Sequence, residues 1–97
     1  MATYQILYWQ DIPSQVNARD AGGNHREPLS PRFQELIDLV AMKKHLVGSD
    51  EYMNAWTKGG KAERPGSAPV VARAVADELE ARYDEFRQAA LAQFAGR

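Results

Sequence analysis

The chain reads as an α+β domain: a small antiparallel sheet of three to four strands, with two main helices and one short helix packed on one face. Three observations carry this reading. The run Thr3–Trp9 (TYQILYW) is aromatic and β-branched strand material. Asp20-Ala21-Gly22-Gly23-Asn24 supplies the positive φ that a hairpin needs. Two later stretches carry apolar residues at three-or-four spacing, the mark of amphipathic helices. Strands come early and helices late, a segregation that belongs to α+β folds.

Taken in order, the first strand shows Tyr4, Ile6 and Tyr8 on one face and Gln5, Leu7 and Trp9 on the other. Its near-continuous hydrophobicity places it centrally in the sheet. Asp11-Ile12-Pro13-Ser14 reads as a turn, and Pro13, which has no N–H to donate, puts the next strand at or after itself and on an edge. Gln15–Arg19 is a weaker strand anchored by Val16, and His25–Leu29 is its returning partner. Ser30 is placed to cap the organising helix, with Pro31 at the first helical position. Phe33, Leu36, Ile37, Val40 and Ala41 form its buried stripe. Lys43, Lys44 and His45 suit the negative end of its dipole, and Gly48 follows as the stop.

Ser49 or Asp50 then caps a short helix, Glu51–Trp56. Lys58-Gly59-Gly60 breaks it, and Lys61–Arg64 adds a short edge strand before Pro65-Gly66. Ser67 caps the last helix, whose first turn tolerates Pro69. Its stripe runs Val71, Val75, Leu79, Tyr83, Phe86 and Ala90, then more weakly through Leu91 to Phe94. As one helix from Ala68 to Ala95 it would be about 40 Å long at roughly 1.5 Å per residue. That exceeds the width of a small sheet, so the last turns either fray or dock Leu91 and Phe94 on a second copy or a partner.

Composition bounds the function. Ninety-seven residues make a single domain, 1–97. Twelve basic and thirteen acidic residues balance, and the balance holds within each half, so no basic surface announces nucleic acid. The absence of cysteine excludes disulfides and thiolate chemistry. Together with the lack of an export signal or an apolar run of membrane-spanning length, it leads us to expect a cytoplasmic protein without membrane contact.

Catalytic motifs are missing. His25 and His45 belong to no metal-binding spacing, Gly22-Gly23 and Gly59-Gly60 lack the surroundings of a phosphate loop, and no carboxylate pair stands out for acid–base work. No catalytic residue, metal or cofactor is therefore expected. Aromatic residues are in surplus, and a tryptophan beside arginine is the make-up of a protein-binding hot spot. Trp9 at a strand end and Trp56 at a helix end, with Arg19, Arg26 or Arg32 nearby, would flank one concave surface. The candidate binding residues are Trp9, Asp11, Arg32, Trp56 and Arg64. The competing reading has both indoles closing the ends of the core.

The segments YQILYWQDIPSQV, PRFQELIDLVAM, SDEYMNAW, ERPGS and ELEARYD resemble a small bacterial family labelled virulence factor. The resemblance covers Thr3 to about Asp84 and leaves 85–97 as a C-terminal helix extension. It implies a domain that also occurs inside larger proteins with scaffold-like or helical-repeat partners, and short members that accompany one-carbon or corrinoid methyl-transfer proteins. It brings no catalytic residue, and the label does not make this copy a virulence determinant.

Three functions follow as expectations. The first is a non-enzymatic accessory domain that binds another protein, with possible homodimerisation through Leu91 and Phe94. The second is a subunit or adaptor of a methyl-transfer assembly. The third is a small enzyme using carboxylate and arginine chemistry.

Overall fold

The computed structural model describes residues 1–94, and the expected helix end at Ala95 lies outside them. The fold is α+β, with an antiparallel sheet as its floor. Strands β1 (Ala2–Trp9), β2 (Ile12–Asp20) and β3 (Gly23–Pro28) form a meander. β4 (Trp56–Lys58) pairs with the end of β1 and β5 (Ala62–Arg64) with its beginning, so β1 is central, as its hydrophobicity required.

The first turn is tighter than the sequence suggested. Gln10 and Asp11 alone make it, with Gln10 at φ 53° and its N–H donating to the Ala55 carbonyl at 2.9 Å. β2 consequently starts before Pro13 and lies inside the sheet, between β1 and β3. Proline is tolerated there because the register slips: Leu7 faces Gln15 while Tyr8 faces Pro13, leaving Ser14 as the extra residue of a bulge. The β2–β3 turn follows expectation, with the Asp20 carboxylate accepting from the N–H groups of Gly22 at 2.7 Å and Gly23 at 3.0 Å.

Trp56, expected at the end of a helix, instead opens β4 opposite Trp9. Gly59 allows the connection to β5 to hug the sheet. A Cβ there would lie 3.0 Å from the Tyr8 ring, and the Gly59 N–H donates to the Ile6 carbonyl at 2.8 Å.

Helix α1 (Pro31–Lys43) buries Phe33, Leu36, Ile37, Val40 and Ala41, the predicted stripe. Its stop is His45, not Gly48. His45 takes the left-handed conformation (φ 58°), and Leu46 N–H reaches back to the Ala41 carbonyl at 2.8 Å, closing a Schellman motif. Helix α2 (Asp50–Asn54) is capped by Ser49, whose hydroxyl accepts from Tyr52 N–H at 3.3 Å.

The predicted long terminal helix is two helices, α3 (Ala68–Ala81) and α4 (Tyr83–Ala92). The break falls at Arg82 (φ −101°, ψ 11°), without glycine or proline. Tertiary packing accounts for it. α3 lies over β1, β2 and β3, whereas α4 turns against α1, where Tyr83 and Phe86 set their rings edge-on to Phe33 at 5.1 and 6.3 Å. Leu91 and Phe94 continue that contact, half-buried against the core, with Lys43 of α1 5.5 Å above the Phe94 ring.

One core results, formed by Val16 and Ala18 of β2, the α1 stripe, and Val71, Ala72, Val75, Ala76 and Leu79 of α3. No helix among the described residues is long and apolar enough to cross a membrane.

Candidate functional site

Charged contacts between elements hold the helices in place. The first turns of α1 and α3 contain no acidic residue of their own, and each receives a carboxylate from another element. Glu80 of α3 accepts from Ser30 N–H at 2.6 Å and Ser30 Oγ at 2.8 Å, and pairs with Arg32 at 3.0 Å. Asp20, at the end of β2, accepts from Ala68 N–H at 2.6 Å. Ser30 and Ser67, expected to cap with their own hydroxyls, do not.

These carboxyls titrate below the usual range. Burial works to raise that of Glu80, but the Ser30 N–H and hydroxyl and the Arg32 guanidinium outweigh it. Asp20 is lowered by the Ala68 N–H first and the Gly22 N–H second. The Arg64 fork lowers Glu78, and Arg64 is raised in return. Each shift belongs to a contact between structural elements.

The five nominated residues do not converge. Trp9 is fully buried, with its indole N–H donating to the Tyr52 carbonyl at 2.9 Å and its ring 5.5 Å from that of Tyr52. Trp56 is its half-buried strand neighbour, edge-on to Tyr52 at 6.4 Å. Arg64 pairs opposite Ala2, about 23 Å from Trp9 along β1 at roughly 3.3 Å per residue. It is bound to Glu78 at 2.7 Å. Arg32 lies 4.4 Å above the Tyr83 ring besides holding Glu80. Asp11 is exposed at the β1–β2 turn, beside a cleft of about 800 Å³ whose lining includes Gln10, Ile12, Lys44, Arg82 and Phe86. The indoles close the end of the core, and the two arginines serve as inter-element ties.

A different surface is assembled by the strand register. Tyr4, Ile6, Val16 and Ala18 are paired positions on the helix-covered face. Their alternates, Thr3, Gln5, Asn17, Arg19, Asn24 and Arg26, share the opposite face. Lys58 and Lys61 join them from the β4–β5 segment, and together they line a trough of about 910 Å³.

Four cations, Arg19, Arg26, Lys58 and Lys61, thus meet on a floor of carboxamides, and no carboxylate lines it. Glu63, paired with Thr3, stands at the rim. Among the described residues none of the four cations forms an ion pair. Three internal bonds stiffen the floor: Arg19 Nε donates to Asn24 Oδ1 at 2.9 Å, Gln5 Nε2 to the Gly59 carbonyl at 2.8 Å, and Gln15 Nε2 to Asn17 Oδ1 at 3.2 Å.

The even balance of charge along the sequence conceals this one-signed face, because alternation along strands, not position in the chain, sorts the residues. The signal available was the hairpin turn. Once Asp20 faces Gly23, Arg19 must face Asn24 and Asn17 must face Arg26.

A family model described as Virulence factor matches residues 7–92. No curated protein and no solved structure matches the chain.

Proposed function

The chain belongs to the virulence factor family, and from that premise we propose that it is a non-enzymatic interaction domain whose contact surface is the helix-free face of its sheet. The observation that carries this reading is the trough: four exposed cations over a row of partly exposed side-chain amides, without carboxylates in the lining to neutralise them. A sheet face polar enough to remain in water while unoccupied, and charged with one sign, suits a reversible contact with another protein. The carboxylates whose titration is shifted, Asp20, Glu78 and Glu80, all move down and are all committed to ties between elements. A general acid requires the opposite shift.

The test is comparative capture from the native host. The variant Arg26→Gln/Lys58→Gln removes two trough cations. Arg73→Gln/Arg87→Gln removes the same charge from the helices. The reading expects a partner protein held by the wild type and the helix variant and lost on the trough variant. Equal capture by all three, or loss on the helix variant alone, contradicts it.

A further inference from the structure

We infer that the trough receives an extended, acidic segment of a partner protein, with carboxylates on alternate residues. This rests on the trough being the contact surface and names what fills it. Three features lead to the occupant. The first is its charge. Arg19, Arg26, Lys58 and Lys61 present a single sign, with Glu63 only at the rim. An isologous dimer through this face would set four cations against four, which rules against a second copy paired by two-fold symmetry.

The second is spacing. Arg26 stands on β3 and Lys58 on β4, three strands apart in the order β3-β2-β1-β4. Arg26 lies level with Gln5 through Asn17, and Lys58 with Leu7, so three strand spacings of about 4.8 Å and two residues along β1 set the cationic flanks roughly 16 Å apart. In an extended chain, residues i and i+4 are separated by about 13 Å and point the same way, with i+2 between them. Carboxylates at i and i+4 would therefore come within reach of the long side chains on the two flanks, and one at i+2 would lie over the floor between them. The intervening residues would face away.

The third is the floor. Gln5, Asn17 and Asn24 offer amide hydrogen-bonding groups suited to a peptide backbone. Arg19 is already oriented by Asn24, so its fork is prepared for a carboxylate. Single-stranded nucleic acid would need aromatic platforms for its bases. The one aromatic residue of the lining, Tyr4, belongs to the helix-side alternation, and its ring lies under Arg64 at 5.8 Å.

The experiment uses the full chain and three fluorescent probes in about 50 mM salt, where charge pairing is only partly screened. They are an alternating Glu-Thr peptide, the corresponding Gln-Thr peptide, and an oligodeoxythymidylate of equal length. Anisotropy should rise with the Glu-Thr peptide and not with the Gln-Thr peptide. Arg26→Gln/Lys58→Gln should weaken binding by about two- to thirty-fold, as loss of two partly exposed ion pairs implies. The melting temperature of that variant should stay unchanged, since neither side chain holds the fold. Arg73→Gln/Arg87→Gln should leave binding unaltered.

Tighter binding of the oligonucleotide would overturn the peptide occupant in favour of nucleic acid. Absence of Glu-Thr binding, or binding indifferent to the trough substitutions, would overturn the inference outright. Capture from the host that still depends on the trough would then leave the contact surface standing and assign it a differently built partner.

Discussion

At the scale of single residues, the fold depends on a few positions that take a conformation they would not choose in isolation or hold their charge more firmly than they would in water. His45 ends α1 in the left-handed region (φ 58°), where a β-carbon costs about 1 kcal/mol and glycine is unpenalised. His45→Gly should therefore raise stability by roughly 0.5–1 kcal/mol, read from the urea midpoint. A loss of stability would show that the histidine side chain itself supports the fold. Glu80 makes a complementary case. Its folded carboxyl lies below the ordinary value, so its stabilisation is complete above the unfolded-state pKa of about 4.3 and disappears as pH falls through the folded value. Glu80→Gln should cost about 1–2 kcal/mol at pH 7, as expected for a charge-assisted hydrogen-bond set. The difference from wild type should shrink below about pH 4. A difference that stays constant with pH would remove the carboxylate from that role. Neither residue was legible in the sequence. By position His45 suits the negative end of the α1 dipole, and nothing in the sequence sets Glu80 apart from the acidic residues around it. The φ of one and the partners of the other, Ser30 and Arg32, are set by how α3 settles against α1.

At the scale of elements, periodicity was a good guide to which residues are buried and a poor one to where helices stop. The α1 stripe matches the core residue for residue, and the α3 stripe of Val71, Val75 and Leu79 is buried as read, joined by Ala68, Ala72 and Ala76. The break at Arg82 was invisible because no helix breaker marks it. It follows from Tyr83 and Phe86 meeting Phe33 on a neighbouring helix. Phe33, fully buried at the centre of that aromatic group, should cost about 3–5 kcal/mol when truncated to alanine, and α4 should be the first element to lose amide protection in hydrogen exchange. Uniform loss across the molecule would mean that α4 does not depend on this contact. The strands tell a similar story. The hairpin was legible from Asp20-Ala21-Gly22-Gly23, whereas the interior placement of Pro13 depends on the bulge at Ser14, a feature of pairing between strands and not of either strand alone.

At the scale of the whole molecule, a chain with nearly equal numbers of acids and bases folds so that most of its acids lie on helices or in ties between elements, while four of its cations share one face of the sheet. Trp9, Trp56, Arg32 and Arg64 are of the residue types favoured in contact surfaces. The fold instead spends Trp9 and Trp56 at the end of the core and Arg32 and Arg64 on Glu80 and Glu78. What remains available is the set of positions that alternate with the buried ones, which explains why the trough emerges only when register is known. The most direct test of this account is a map of backbone amide shifts in ¹⁵N-labelled full-length protein titrated with the alternating Glu-Thr peptide. The account predicts shifts concentrated in β1, β2, β3 and the Lys58–Lys61 segment. Shifts confined to the cleft beside Asp11, Lys44 and Phe86, or none at saturating peptide, would contradict it.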